Sequence, residues 1–128
     1  MTLPRQGVTF DTGVLVALER RKQSAWGVFH RVQERGAPIT VPAPVLGEWW
    51  RGRTDVREAI CLSVRIEPLT PTIARLAGEA LAIVKRATTI DAFVMASAAL
   101  RGDVVYTGDV DDLERLRAFF PGVRVLSI

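Results

Sequence analysis

The chain has 128 residues, 48% of them hydrophobic and 24% charged, with a formal charge of +3. Such a balance excludes a disordered chain and fits one globular domain, 1–128, with a core of its own. One cysteine, Cys61, excludes an internal disulfide and a cysteine-based metal site within one chain, which suits a reducing cytoplasm. No apolar run approaches the roughly 20 residues that span a bilayer, so no membrane partner is expected, and no signal-peptide core follows Met1. The basic balance favours an anionic partner, nucleic acid or an acidic protein segment.

In chain order, Val8 to Phe10 reads as a short strand, and Asp11 or Thr12 can cap a helix from Gly13 to about Arg21. Ser24 is placed to cap a second helix whose Trp26, Val28, Phe29 and Val32 share a face. Gly36 closes it, and Ile39 to Val41 is a second strand, broken by Pro42 and Pro44. Pro44 fits the first turn of a helix carrying Val45, Leu46, Glu48 and Trp49. A loop at 52–54 leads to a helix from Asp55 to Leu62 and a strand from Val64 to Ile66. Thr70-Pro71 opens a helix predicted to reach Arg86. Thr88 to Asp91 starts another that Gly102 stops after Leu100. Val104 to Tyr106 is a fourth strand, a short helix ends near Leu116, and Val123 to Leu126 is the last strand. Short apolar strands alternating with helices predict an α/β fold, a three-layer sandwich whose central, mostly parallel sheet has about five short strands flanked by helices. In such sheets ligands bind beyond the carboxyl ends of the strands.

Four acids stand in surroundings unlike a solvated face. Asp11 follows Val-Thr-Phe, Glu48 follows Pro-Val-Leu-Gly, Asp91 heads a helix apolar nearly all round, and Asp109 follows Val-Val-Tyr-Thr-Gly. Glu19, Glu34, Glu58, Glu79 and Glu114, among basic or polar neighbours, read as surface charge. Each of the four also has an ordinary reading: Asp11 and Asp109 as caps, Thr88 with Asp91 as a capping box, Glu48 as an exposed helix residue. Gathered at one end of a sheet, however, unpaired carboxylates repel. A hard divalent cation with oxygen ligands, Mg²⁺ or Mn²⁺, is the simplest compensation.

These stretches, Phe-Asp11-Thr-Gly, Pro-Val-Leu-Gly-Glu48, Ile-Asp91-Ala-Phe and Thr107-Gly-Asp109, taken in order, resemble the PIN domain, and more narrowly the VapC-type ribonuclease toxins of bacterial toxin–antitoxin pairs. The resemblance implies that Asp11, Glu48, Asp91 and Asp109 are an acidic quartet holding Mg²⁺ or Mn²⁺, with Asp112 a possible additional ligand. It implies that Thr12 and Thr107 orient the first and last acids. It implies a cytoplasmic endoribonuclease that hydrolyses RNA phosphodiesters with a metal-activated water. Its partners would be a cognate antitoxin and a second copy of the chain, within a larger complex. The chain departs from many relatives at Gly13, where they carry a small polar residue, and in its Trp49-Trp50 pair.

Arg51, Arg53, Lys85, Arg86 and Arg101 flank the acidic motifs and are candidates for RNA contact, and Trp50 or Trp49 for base stacking. Helix geometry turns those two tryptophans about 100° apart, so one should be core and the other interface. His30, the single histidine, is expected at the surface without a catalytic role. Asp-Thr-Gly is also the aspartic-protease signature, but there it lies in an all-β fold, whereas Val14 to Lys22 reads as helix. A phosphoacceptor receiver domain would need an acidic pair after the first strand and a lysine after the last, and both are missing. The remaining alternative is a catalytically silent module of the same fold that binds RNA or antitoxin.

Overall fold

Five strands of three or four residues, β1 (Val8–Phe10), β2 (Ile39–Pro42), β3 (Arg65–Glu67), β4 (Val104–Thr107) and β5 (Val125–Ser127), form one sheet in the computed structural model. It describes residues 6–128; the stretch directly after Met1, on which the signal-peptide expectation falls, lies outside the described residues. The strand order is β3-β2-β1-β4-β5 and every pairing is parallel, so the sheet is wholly rather than mostly parallel. Val8 faces Ile39 on one side and Val104 on the other, which sets the register of the three central strands. All residues of β1 and β2 are buried, as expected of strands covered on both faces.

The crossovers that parallel strands require are helices: α1 (Thr12–Glu19), α2 (Gln23–Glu34), α3 (Ala43–Trp49), α4 (Asp55–Leu62), α5 (Pro71–Ile83), α6 (Thr89–Arg101) and α7 (Val110–Glu114), the last followed by a 3₁₀ turn, Arg115–Ala118. Among the described residues, no helix is long and apolar enough to cross a membrane. Phe10, Leu15, Leu18 and Met95 are among the largest wholly buried side chains, each contributing about 1.5–3 kcal/mol through burial. Helix α6 is buried nearly all round, with Ala92, Val94, Met95, Ala96, Ser97 and Ala98 inaccessible. Thr88 caps it by accepting from the Asp91 N–H at 3.2 Å, and Gly102 ends it in the left-handed region at φ 76°.

Some element ends differ from expectation, and each difference has a local cause. Helix α1 stops at Glu19 rather than Arg21, because Arg21 turns left-handed at φ 59°. Helix α2 starts at Gln23 with Lys22 as its cap residue; the Ser24 side chain, two positions too far in, caps nothing. Helix α5 ends at Ile83 rather than Arg86, which is left-handed at φ 64°. That reversal frees Thr88 to cap α6. Strands β3 and β5 lie one or two residues later than predicted, Val64 and Val123 being outside them.

Arg101, a sequence candidate for RNA contact, is instead the centre of a structural network. Its Nε donates to Asp103 Oδ2 at 2.9 Å and its Nη2 to Thr9 Oγ1 at 2.7 Å; its Nη1 reaches Glu67 and Ser97. Thr9 in turn donates to Asp103 at 2.8 Å, and Ser97 to Glu67. One guanidinium thus ties α6 to β1, β3 and the start of β4, with its donors committed inside the protein. Glu19, read as surface charge, is likewise engaged: it accepts from Trp49 Nε1 at 3.1 Å and from Arg57 Nε at 3.0 Å. Removing one partner of such a partly buried network strands the others. Arg101→Met is expected to cost about 3 kcal/mol in urea denaturation, and a cost below about 1 kcal/mol would show that the network is dispensable.

Candidate active site

The sheet reverses its winding between β1 and β4, and the crevice beyond the carboxyl ends of these two strands is where such sheets bind ligands. Two glycines let the turns that follow the strands touch. A Cβ on Gly13 would stand 3.1 Å from the backbone of Gly108, and one on Gly108 would stand 3.2 Å from Gly13 Cα. Side chains at either position would push the turns apart. The departure at Gly13 is therefore a packing requirement of this chain.

Asp11 sits in this contact. It is buried, with 9% of its surface exposed, and caps α1 by accepting from the Val14 N–H at 3.2 Å. From the neighbouring turn, Thr107 donates its hydroxyl to Asp11 Oδ2, and the Gly108 N–H approaches Oδ1 at 3.4 Å. Burial pushes the Asp11 carboxyl above its ordinary pKa, opposed by the Thr107 hydroxyl and by the N–H groups of Val14, Gly108 and Gly13. Thr107 also accepts from the Asp109 N–H at 2.9 Å, so one hydroxyl fixes both the first acid and the backbone carrying the last. Thr12 behaves differently from expectation: it donates to Glu48 rather than steadying Asp11. It thereby ties the exposed Glu48 of α3 to the start of α1.

Asp11, Thr12, Glu48, Asp91 and Asp109 line one cavity of about 520 Å³. Asp91, in the first turn of α6, is half-buried, and its carboxyl is pushed above the ordinary range chiefly by that burial. The Thr88 hydroxyl lowers it, while the charges of Asp11, Asp112 and Glu48 raise it further. Among the described residues, none of the four acids forms an ion pair with a basic side chain. Asp112 does not line the cavity and pairs with Arg115 at 3.1 Å, although its charge is felt at Asp91.

The donor set suits a hard cation: it is all oxygen, and at Asp91 the charges of Asp11 and Glu48 add to the burial that disfavours its ionised form. Among the described residues, no three acidic, thiol or imidazole side chains stand close enough together to hold a metal ion between them. That openness is compatible with Mg²⁺, which keeps several waters and is commonly held by one or two carboxylates. Arg51, Arg53, Lys85, Arg86 and Trp50 do not line the cavity; Lys22 and Ser24, at the start of α2, do. Arg51 turns onto the carbonyls of Trp50 and Gly47, at 2.7 and 3.5 Å. Trp49 is the core member of its pair, with Trp50 half-buried beside it, and His30 is exposed.

The raised pKa of Asp91 has a definite sign in stability. Its neutral form stabilises the fold fully below the unfolded value, near 3.8, and this contribution is lost as pH rises through the raised folded value. At pH 7 the ionised group is a net cost. Asp91→Asn should therefore raise the melting temperature in EDTA at pH 7, with the gain shrinking towards pH 4. An unchanged melt at pH 7 would contradict a penalty on the ionised Asp91 from its burial and from the neighbouring charges.

No curated protein matches the chain in sequence. In fold, it is similar to a chain of VapBC2 from Rickettsia felis bound to a promoter DNA fragment, with a TM-score of 0.76, 12% identity, and 94% of this chain and 98% of that one covered. A chain of DNA-bound VapBC from Salmonella typhimurium gives a TM-score of 0.75, 18% identity, and coverages of 96% and 98%. VapC20 of Mycobacterium tuberculosis, described as a Sarcin-Ricin loop cleaving toxin, gives 0.63, 25% identity, and coverages of 83% and 92%. The PIN domain family model matches residues 8–118, a span that holds all four acids and every strand but β5; the chain belongs to the PIN domain family.

Proposed function

We propose that this chain is a metal-dependent endoribonuclease, the cytoplasmic toxin of a toxin–antitoxin pair. The observation that carries the reading is the one cavity onto which Asp11, Glu48, Asp91 and Asp109 open, with no basic side chain among the described residues paired to any of them. Membership of the PIN family and the likeness to VapBC chains and to a Sarcin-Ricin loop cleaving toxin support it. The same likenesses support an antitoxin as protein partner; a homodimer within a larger complex is part of the proposal.

Asp11, Glu48, Asp91 and Asp109 are the residues to hold Mg²⁺ or Mn²⁺. When bound, such an ion supplies charge neutralisation at the phosphate and a lowered pKa for water. Asp11 is the most rigid donor, since two turns fix its oxygens before any ligand arrives, and preorganisation of this kind removes a reorganisation cost. Glu48 is aimed by Thr12, and Asp109 is carried on backbone held by Thr107. Asp91 brings a half-buried carboxyl whose charge is already disfavoured, so a cation beside it relieves burial and repulsion together.

An Asp-Thr-Gly at the head of a helix in a parallel sheet has no counterpart in the all-β protease arrangement, and that reading falls. The silent binding module of the same fold is tested directly. Purified protein with Mn²⁺ should fragment total RNA and EDTA should stop it. Asp11→Asn and Asp91→Asn should each lower the rate by about 10² or more, the scale for loss of a preorganised charged group. RNA that is bound but left whole by the unaltered chain would favour the silent module, and full activity in either variant would remove that acid from the site.

A further inference from the structure

Among the described residues, the acidic cavity has one basic side chain on its lining, Lys22, and sequence spacing did not point to it. Lys22 ends a run of three cations, Arg20-Arg21-Lys22, that forms the corner between α1 and α2. All three are exposed, and among the described residues none of them pairs with a carboxylate. The corner is nonetheless fixed. Arg20 N–H donates to Val16 at 3.0 Å, Arg21 N–H to Leu18 at 3.0 Å and Lys22 N–H to Ala17 at 3.0 Å. Trp26 Nε1 pins the same turn through the Leu18 carbonyl at 3.1 Å. Arg21 is held at φ 59°, a conformation that side-chain-bearing residues seldom adopt and that persists only where surrounding bonds impose it.

We propose that Lys22 binds a backbone phosphate of the RNA strand that enters the acidic cavity, with Ser24 as a hydroxyl donor beside it. The inference rests on the nuclease reading above and names how that site receives its substrate. A phosphodiester approaching four carboxylates is repelled unless positive charge meets it. A cation held among the acids offsets the charge at the reacting phosphate, while the strand's flanking phosphates still need a partner. A lysine ammonium is a compact point charge that suits a phosphate oxygen without demanding a planar, bidentate fit. On a corner fixed by backbone bonds, it is positioned at the rim before the strand arrives. Arg20 and Arg21, exposed on the same corner, add to its positive charge.

The test uses the full chain in an Asp91→Asn background, so that RNA is not consumed, with a fluorescein-labelled 20-nucleotide hairpin RNA in Mg²⁺ followed by anisotropy. Lys22→Gln should weaken binding about fivefold or more at low salt and lower the slope of log affinity against log salt by about 0.7–0.9, one phosphate contact. Lys22→Arg should restore most of both. Arg124→Gln, which removes the same charge at a separate cavity lined by Arg35 and Tyr106, should change affinity much less and leave the slope alone. Unchanged affinity and slope in Lys22→Gln, or an equal loss in Arg124→Gln, would overturn the assignment. So would a loss confined to antitoxin binding. Failure of the nuclease reading shows separately, as RNA left whole by the unaltered chain in Mn²⁺. Because Lys22 is exposed and its side chain caps nothing, the variant should melt with its parent, and that melt checks that the comparison is between folded proteins.

Discussion

The constraint on which the rest of this structure depends is the burial of the Asp11 carboxylate at the meeting of two turns. Stripping water from an ionised carboxyl is costly, and the protein offsets that cost with dipoles rather than with a cation: Thr107 and the N–H groups of Val14, Gly108 and Gly13 all point at it. Gly108 lies 97 residues from Asp11 in sequence, so the carboxylate is satisfied only if β1 and β4 are neighbours and their turns touch. The glycine-on-glycine contact between Gly13 and Gly108 is the steric condition for that approach. The strand order places the two turns side by side, and the glycines remove the last obstacle. What results is an anionic group held firmly and left without a counter-charge.

The molecule treats charge differently in its two polar centres. Around Arg101 each acid has found a donor: Glu67 and Asp103 share the guanidinium, while Thr9 and Ser97 close the remaining gaps. That centre welds α6 to the sheet. At the other end of α6, Asp91 stands within the field of Asp11, Glu48 and Asp112, and its charged form is penalised. One helix therefore carries a compensated centre at its carboxyl end and an uncompensated one at its amino end. Uncompensated carboxylates are tolerated where a ligand is to complete them, and perturbed titration in a cavity is the physical mark of such places.

Much of this was legible in the sequence because the signals were local. Val-Thr-Phe and Val-Val-Tyr read as buried strands, Thr70-Pro71 and Thr88 as helix starts, Gly102 as a stop, and the four acids stood out by their apolar neighbours. The misread features depend on tertiary structure. Arg101 resembled its basic neighbours Lys85 and Arg86 until the fold brought Glu67 and Thr9 to it. Glu19 looked like a surface charge because Arg57 and the Trp49 indole are far along the chain. The α1–α2 corner escaped notice because its left-handed residue is an arginine, whereas glycine or asparagine is the usual sign of that conformation. Lys22 was read as the tail of a helix and so was never weighed as part of the site.

The tryptophan pair illustrates how packing away from a site can aim one of its groups. Helix α3 has only seven residues, too few to be stable alone, so its rotation about its own axis is set by what it packs against. Trp49 fixes that rotation: it is buried, and its indole N–H is tied to Glu19 at the end of α1, which Arg57 of α4 holds in turn. Neighbouring helical residues are separated by about 100°, so once Trp49 is locked inward the direction of Glu48 follows, and Thr12 meets it. The position of the second acid is thus inherited from a core contact on three helices. Glu19 matters to the site through this linkage, although it does not line the cavity.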